Sequence, residues 1–131
     1  IIAGNAVDFE SESANTSDQR NIFISITDKQ LTQAKTVWLT NYDKQQGINV
    51  QTPQLVKIGE DQFLVMWQEG SKSEGNLTTK IVTIDSEGNK TSNIRSKSMP
   101  LSDCQPVVGP DGVVRWYVTD GKAPTIYAVN P

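Results

Sequence analysis

Between Thr52 and Asp85 the sequence reads TPQLVKIGEDQFLVMWQEGSKSEGNLTTKIVTID, short apolar runs separated by clusters of Gly, Ser, Asn and charge. This alternation constrains the fold more than any other feature. Leu55 to Ile58 is a short run stopped by Gly59-Glu60-Asp61-Gln62. Phe63 to Trp67 follows with no polar interruption, the pattern of a strand buried on both faces. Gln68 to Asn76 reads as an exposed hairpin loop. Lys80 to Asp85 is a third strand, closed by the turn Ser86 to Asn89. Thr91 to Lys97 is polar and weakly alternating, as an outer edge strand is expected to be. The stretch predicts three consecutive antiparallel strands and a fourth at the edge.

Pieces of the pattern recur. Asp61 to Trp67 lies over Asp111 to Tyr117 at an offset of 111 − 61 = 50. A third-strand motif occurs as Phe23 to Ile26, Ile81 to Ile84 and Ile126 to Val129. Each copy has a small residue in third place (Ser25, Thr83, Ala128), which is expected to let neighbouring sheets approach. Other strands are read at Ile1 to Glu12, Lys35 to Asn41 and Gln105 to Val108. Lys29 to Lys35 is too short for a stable helix and reads as a long turn. Gly109-Pro110-Asp111-Gly112 is a strong turn signal.

Four-stranded units repeating every 40 to 50 residues or so are the signature of β-propeller blades. The chain is therefore expected to be one all-β repeat segment, a partial β-propeller of about two and a half four-stranded blades. The partial first blade covers about 1–50, the full blade about 51–98 and the partial last blade about 99–131. The first unit is expected to lack its innermost strand and the last its outer strand. Propellers usually close with at least four blades, so the chain reads as an excised piece. Further copies of itself or another polypeptide would complete it by covering apolar rows such as Ile22, Ile24, Ile26 and Val129. The alternative is a free-standing two-sheet β-sandwich, which fits the length without help.

Tyr117-Val118-Thr119-Asp120 and Ile126-Tyr127-Ala128-Val129-Asn130-Pro131 resemble the YVTN and PQQ-like β-propeller repeats of secreted bacterial proteins. The resemblance implies a propeller fold and a secreted or cell-surface setting. The Trp-containing blade motif of the PQQ-like repeats is incomplete here, so no ligand is implied.

Composition excludes several chemistries. The 131 residues contain no histidine, which removes His-based triads and His metal ligands. The single cysteine, Cys104, allows no intrachain disulfide and reads as a small packing residue. The net charge is −3 and the basic residues are scattered, which argues against nucleic acid. No apolar run approaches the roughly 20 residues of a membrane span.

What remains is sparse. Asp8, Glu10 and Glu12 alternate and would share one face of a strand, a weak calcium possibility against the reading of a charged edge. Asp85 to Asn89 is too short for a calcium loop and reads as a turn. The Asp-box of sialidase-type propellers is absent. Arg20, Arg95 and Arg115 occupy different strand types and do not read as a clamp. Asn15, Asn76 and Asn89 begin glycosylation sequons, which matter only in a eukaryotic secretory setting. Trp38, Trp67, Trp116 and Tyr117 are the candidate ligand or partner contacts, with packing between sheets as the main expectation for the tryptophans. The functional expectation is a non-catalytic binding or assembly scaffold. The alternatives are part of a propeller glycosidase built on paired carboxylates, or a carbohydrate-binding sandwich.

Overall fold

The structure is a computed structural model and describes residues 1–8, 19–119, 121 and 123–131. It is all-β. Three small antiparallel sheets follow one another along the chain. The first contains β1 (Ile2–Ala6), β2 (Asn21–Thr27) and β3 (Ala34–Trp38). The middle sheet contains β4 (Ile48–Gly59), β5 (Gln62–Ser71), β6 (Thr78–Ile84) and β7 (Arg95–Lys97). The last contains β8 (Val107–Val108), β9 (Val114–Val118) and β10 (Thr125–Val129). Each is a meander whose spatial order follows the sequence. A 3-10 turn, Lys44–Gln46, is capped by Asp43 in the link to β4, and no α-helix occurs among the described residues.

Strand β5 explains the stacking. Side chains alternate across a strand, and β5 is apolar at both parities. Val65 and Trp67 face the first sheet and pack with Ile22, Ile24, Leu39, Val82 and Ile84. Leu64 and Met66 face the last sheet and pack with Ile81, Leu101, Val114, Trp116 and Val129. The expectation of a strand buried on both faces is met. The two-sheet sandwich is not what forms, because the middle sheet is covered on both sides. Each large side chain so buried contributes about 1.5–3 kcal/mol of hydrophobic stabilisation.

Strand β4 serves both cores through a bulge. Its register against β5 shifts between Gln51 and Gln54, where Thr52 takes a positive φ of 52°. Before the bulge, Ile48 and Val50 face the first sheet; after it, Leu55 does, while Val56 and Ile58 turn to the last. One extra residue has exchanged the parity. Pro53 is tolerated because β4 is an edge strand.

That edge is held by side-chain amides. Asn5 Nδ2 donates to the Val50 carbonyl at 3.0 Å, and Gln19 Nε2 to Ile48 at 2.8 Å. From the other side Gln105 Nε2 donates to Leu55 at 2.8 Å. Between sheets the backbones come closest here, where β1 and β2 meet β4 on one side and β8 meets it on the other.

Several expectations are corrected. Phe23 to Ile26 lies in β2, the central strand of a three-stranded sheet, paired with both β1 and β3. Gln68 to Ser71 extends β5 rather than forming loop, because Ile48 to Gln51 pair with it. The edge strand is only Arg95–Lys97; before it Lys90 makes one isolated bridge to Ile84, and the Ser92 hydroxyl accepts from the Thr83 N–H where a ladder bond would continue. Of the three small residues, Thr83 shares the face that the middle sheet turns to the last, whereas Ser25 and Ala128 lie on the outer faces of the end sheets. Matching faces aligns Val65 and Trp67 with Val114 and Trp116, an offset of 116 − 67 = 49 rather than 50. The rows expected to be exposed are core: Ile22 and Ile24 are fully buried, Val129 is nearly so, and Ile26 packs against them.

Candidate functional site

Among the described residues, apolar side chains that no neighbouring sheet covers lie on the outer faces of the two end sheets. Ile24 and Val37 are paired on the inner face of the first sheet, so the neighbouring pair, Phe23 and Trp38, points outward. Their rings meet edge-on with centroids 5.5 Å apart. Phe23 also lies over Gly4, where a Cβ would come within 2.5 Å of the ring. Ile2 extends this face, paired with Ser25 and exposed.

On the last sheet, Trp116 and Tyr127 are paired and stacked on the inner face at 6.0 Å. The alternate positions face out: Tyr117 opposite Ile126, and Arg115 between Val107 and Ala128. Tyr117 is 49% exposed and Ile126 72%. These residues, with Pro124 and Cys104, bound a shallow, mostly apolar hollow of about 650 Å³. Cys104 is half-buried at this surface rather than packed in the core.

Charge at this hollow is neutralised. Arg115 grips Asp111 through two parallel bonds, Nη1 to Oδ1 at 2.9 Å and Nη2 to Oδ2 at 2.6 Å. The guanidinium holds the Asp111 carboxyl well below the usual carboxylate range, and the carboxylate raises Arg115 in return. Arg20 and Arg95 reach backbone carbonyls of Asn5 and Asn130, so the three arginines form no common site.

The four aromatic candidates are not brought together. Trp67 is 0% exposed between the first and middle sheets, and Trp116 is 3% exposed between the middle and last. Trp38 and Tyr117 reach solvent on opposite ends of the stack. Sequence reasoning missed Glu69, a charged residue buried to 9% exposure. Its Oε2 accepts from Trp67 Nε1 at 2.9 Å and from the Tyr42 hydroxyl at 2.8 Å. Lys80 Nζ lies 3.2 Å from Oε1. Burial, then the bond to Glu69, pushes the Tyr42 phenol up. Three donors, from Tyr42, Trp67 and Lys80, thus surround this carboxylate.

No group of three or more His, Cys, Asp or Glu side chains that could hold a metal ion occurs among the described residues. Glu10, Glu12 and Asn15 lie outside those residues. Both Asp85 oxygens are occupied by its own turn, accepting from the backbone N–H of Glu87 and of Asn89 and from Asn89 Nδ2. Comparison of the chain with protein-family models, curated proteins and solved structures finds no match.

Proposed function

We propose that this chain is a non-catalytic scaffold segment of a β-propeller, whose partners are further sheets of its own kind. One observation carries this reading. The middle sheet is apolar and covered on both faces, while each end sheet is covered on one face and keeps apolar side chains on the other. The close approach of the first strands around β4 supports a wedge-like succession of blades about a common axis. The neutralised Asp111–Arg115 pair favours assembly over catalysis. The secreted or surface setting rests on the repeat resemblance alone.

Sedimentation velocity tests this reading. Association of the isolated chain into species heavier than its 14.4 kDa is the expected result. Soluble monomers rarely leave apolar patches beyond a few hundred Å² uncovered. A well-dispersed monomer with cooperative unfolding overturns it.

A further inference from the structure

Arg95 differs from the other arginines. Arg115 is gripped by Asp111, and Arg20 is exposed. Arg95 is half-buried on β7 and paired with Ile81. Residues directly opposite each other share a face of the sheet, and Ile81 faces the last sheet. The Arg95 side chain therefore lies at the margin of that interface. Its Nε is buried without a hydrogen-bond partner. Its Nη2 has the Asn130 carbonyl at 3.5 Å, the outer limit of a hydrogen bond. Among the described residues no acidic side chain forms an ion pair with it. A guanidinium keeps its charge at any ordinary pH. This cation is thus drawn partly out of water with no anion opposite it among those residues.

Arg95 borders an open hollow of about 530 Å³. Ile58, Gln62 and Thr83 border it too, all on the face of the middle sheet turned to the last. Thr83 is paired with Leu64 on that face, and Gln62 stands two residues before Leu64 on the same strand. Ser92 and Asn93 join them from the link before β7. No acidic side chain borders the hollow. The Ser92 hydroxyl is committed, accepting from the Thr83 N–H and donating to the Asn93 carbonyl. The Thr83 hydroxyl accepts from Thr91 and keeps its own proton to donate. The exposed amides of Gln62 and Asn93 offer both donors and acceptors.

We propose that this hollow binds a small hydroxylated carboxylate, an acidic sugar of the uronate class, with its carboxylate on the Arg95 guanidinium. The planar fork of a guanidinium matches a carboxylate. Neither Nε nor Nη2 is held by a short bond, so the fork is free to turn to the ligand. A single cation with no acidic side chain beside it suits a single negative charge. The Gln62 and Asn93 amides and the Thr83 hydroxyl are groups that bond sugar hydroxyls. Ile58 supplies an apolar surface for the ring carbons. The volume lies within the range of about 300–1,000 Å³ usual for small-molecule sites. The hollow lies at the margin between two sheets, so an occupant leaves both outer faces of the stack open to assembly.

Calorimetric titration of the chain with galacturonate tests the site. Saturable binding of one molecule per chain is the expected result. Galactose lacks the carboxylate and acetate lacks the hydroxyls, and each should bind at least about tenfold more weakly. Arg95→Met should weaken galacturonate binding by at least about tenfold. Arg95 stands on a three-residue edge strand, and the circular dichroism of the variant should match the parent. The comparison of the three probes uses the unmodified chain and holds whether or not the variant folds. No saturable binding of galacturonate overturns the site. Acetate binding as tightly as galacturonate marks an adventitious anion only and overturns it too. Galacturonate binding unchanged in folded Arg95→Met does the same. None of these outcomes bears on the scaffold reading, which sedimentation tests separately.

Discussion

The Trp67 indole Nε1 donates to Glu69 Oε2 at 2.9 Å, two residues along the same strand and on the same face. Alternation places the carboxylate beside the largest buried side chain, where Tyr42 from the preceding link and Lys80 from β6 complete its partners. Removing it strands a buried indole and leaves a partly buried phenol without its acceptor. Glu69→Ala is expected to cost about 3 kcal/mol. Glu69→Gln keeps an acceptor oxygen and is expected to cost about 1 kcal/mol. Urea midpoints at unchanged m-value measure both.

Tyr42 makes stability fall at alkaline pH. Its folded phenol titrates above the unfolded value of 10.0 because burial and the Glu69 carboxylate disfavour phenolate. The native state thus holds its proton more tightly, and this contribution is fully present below pH 10. It is lost as the pH rises above that value and through the folded pKa. Denaturation from pH 8 to 11 should show the parent losing more stability than Tyr42→Phe; parallel curves would refute the assignment.

Gly70 sits where the hairpin crosses its own strand. A Cβ there would lie 1.8 Å from the Asn76 carbonyl oxygen, a backbone atom that a rotamer change cannot move. Gly70→Ala is expected to cost about 3 kcal/mol or more. Gly47→Ala meets no atom within 4 Å and bears only the strain of a φ of 60°, about 1–2 kcal/mol. Thermal melts of the pair separate steric from conformational cost.

The bulge at Thr52 fixes which face each half of β4 presents. Deleting Thr52 would swing Ile48 and Val50 away from the first core, or Leu55 out of it. The deletion is expected to prevent cooperative folding. Thr52→Asn, which enters the left-handed region more readily, should be tolerated within about 1 kcal/mol.

The tryptophans should differ in energetics and in solvent access. Trp67→Ala and Trp116→Ala are expected to cost about 3–5 kcal/mol each, and half-buried Trp38→Ala no more than about 2 kcal/mol. Acrylamide should quench Trp38 fluorescence more strongly than that of the other two, read in chains retaining one tryptophan each.

The sequence by itself determined the all-β class, the meander order, most turns and the double burial of β5. These are local consequences: turn residues punctuate the chain, and an apolar run at both parities has no polar face to turn to water. It also placed the second and third strands of the middle and last sheets almost in register. Tertiary structure decided what parity alone leaves open. The bulge at Thr52 exchanges faces within one strand, and no composition signal marks it beyond Thr52-Pro53. Phe23 to Ile26 could occupy any strand position until β1 and β3 paired on either side. Glu69 looks like a loop residue until Ile48 to Gln51 extend the ladder over it. Which apolar rows are core and which are uncovered depends on which face of a sheet meets its neighbour. That choice is made by packing between strands far apart in the chain, after the local pattern is complete.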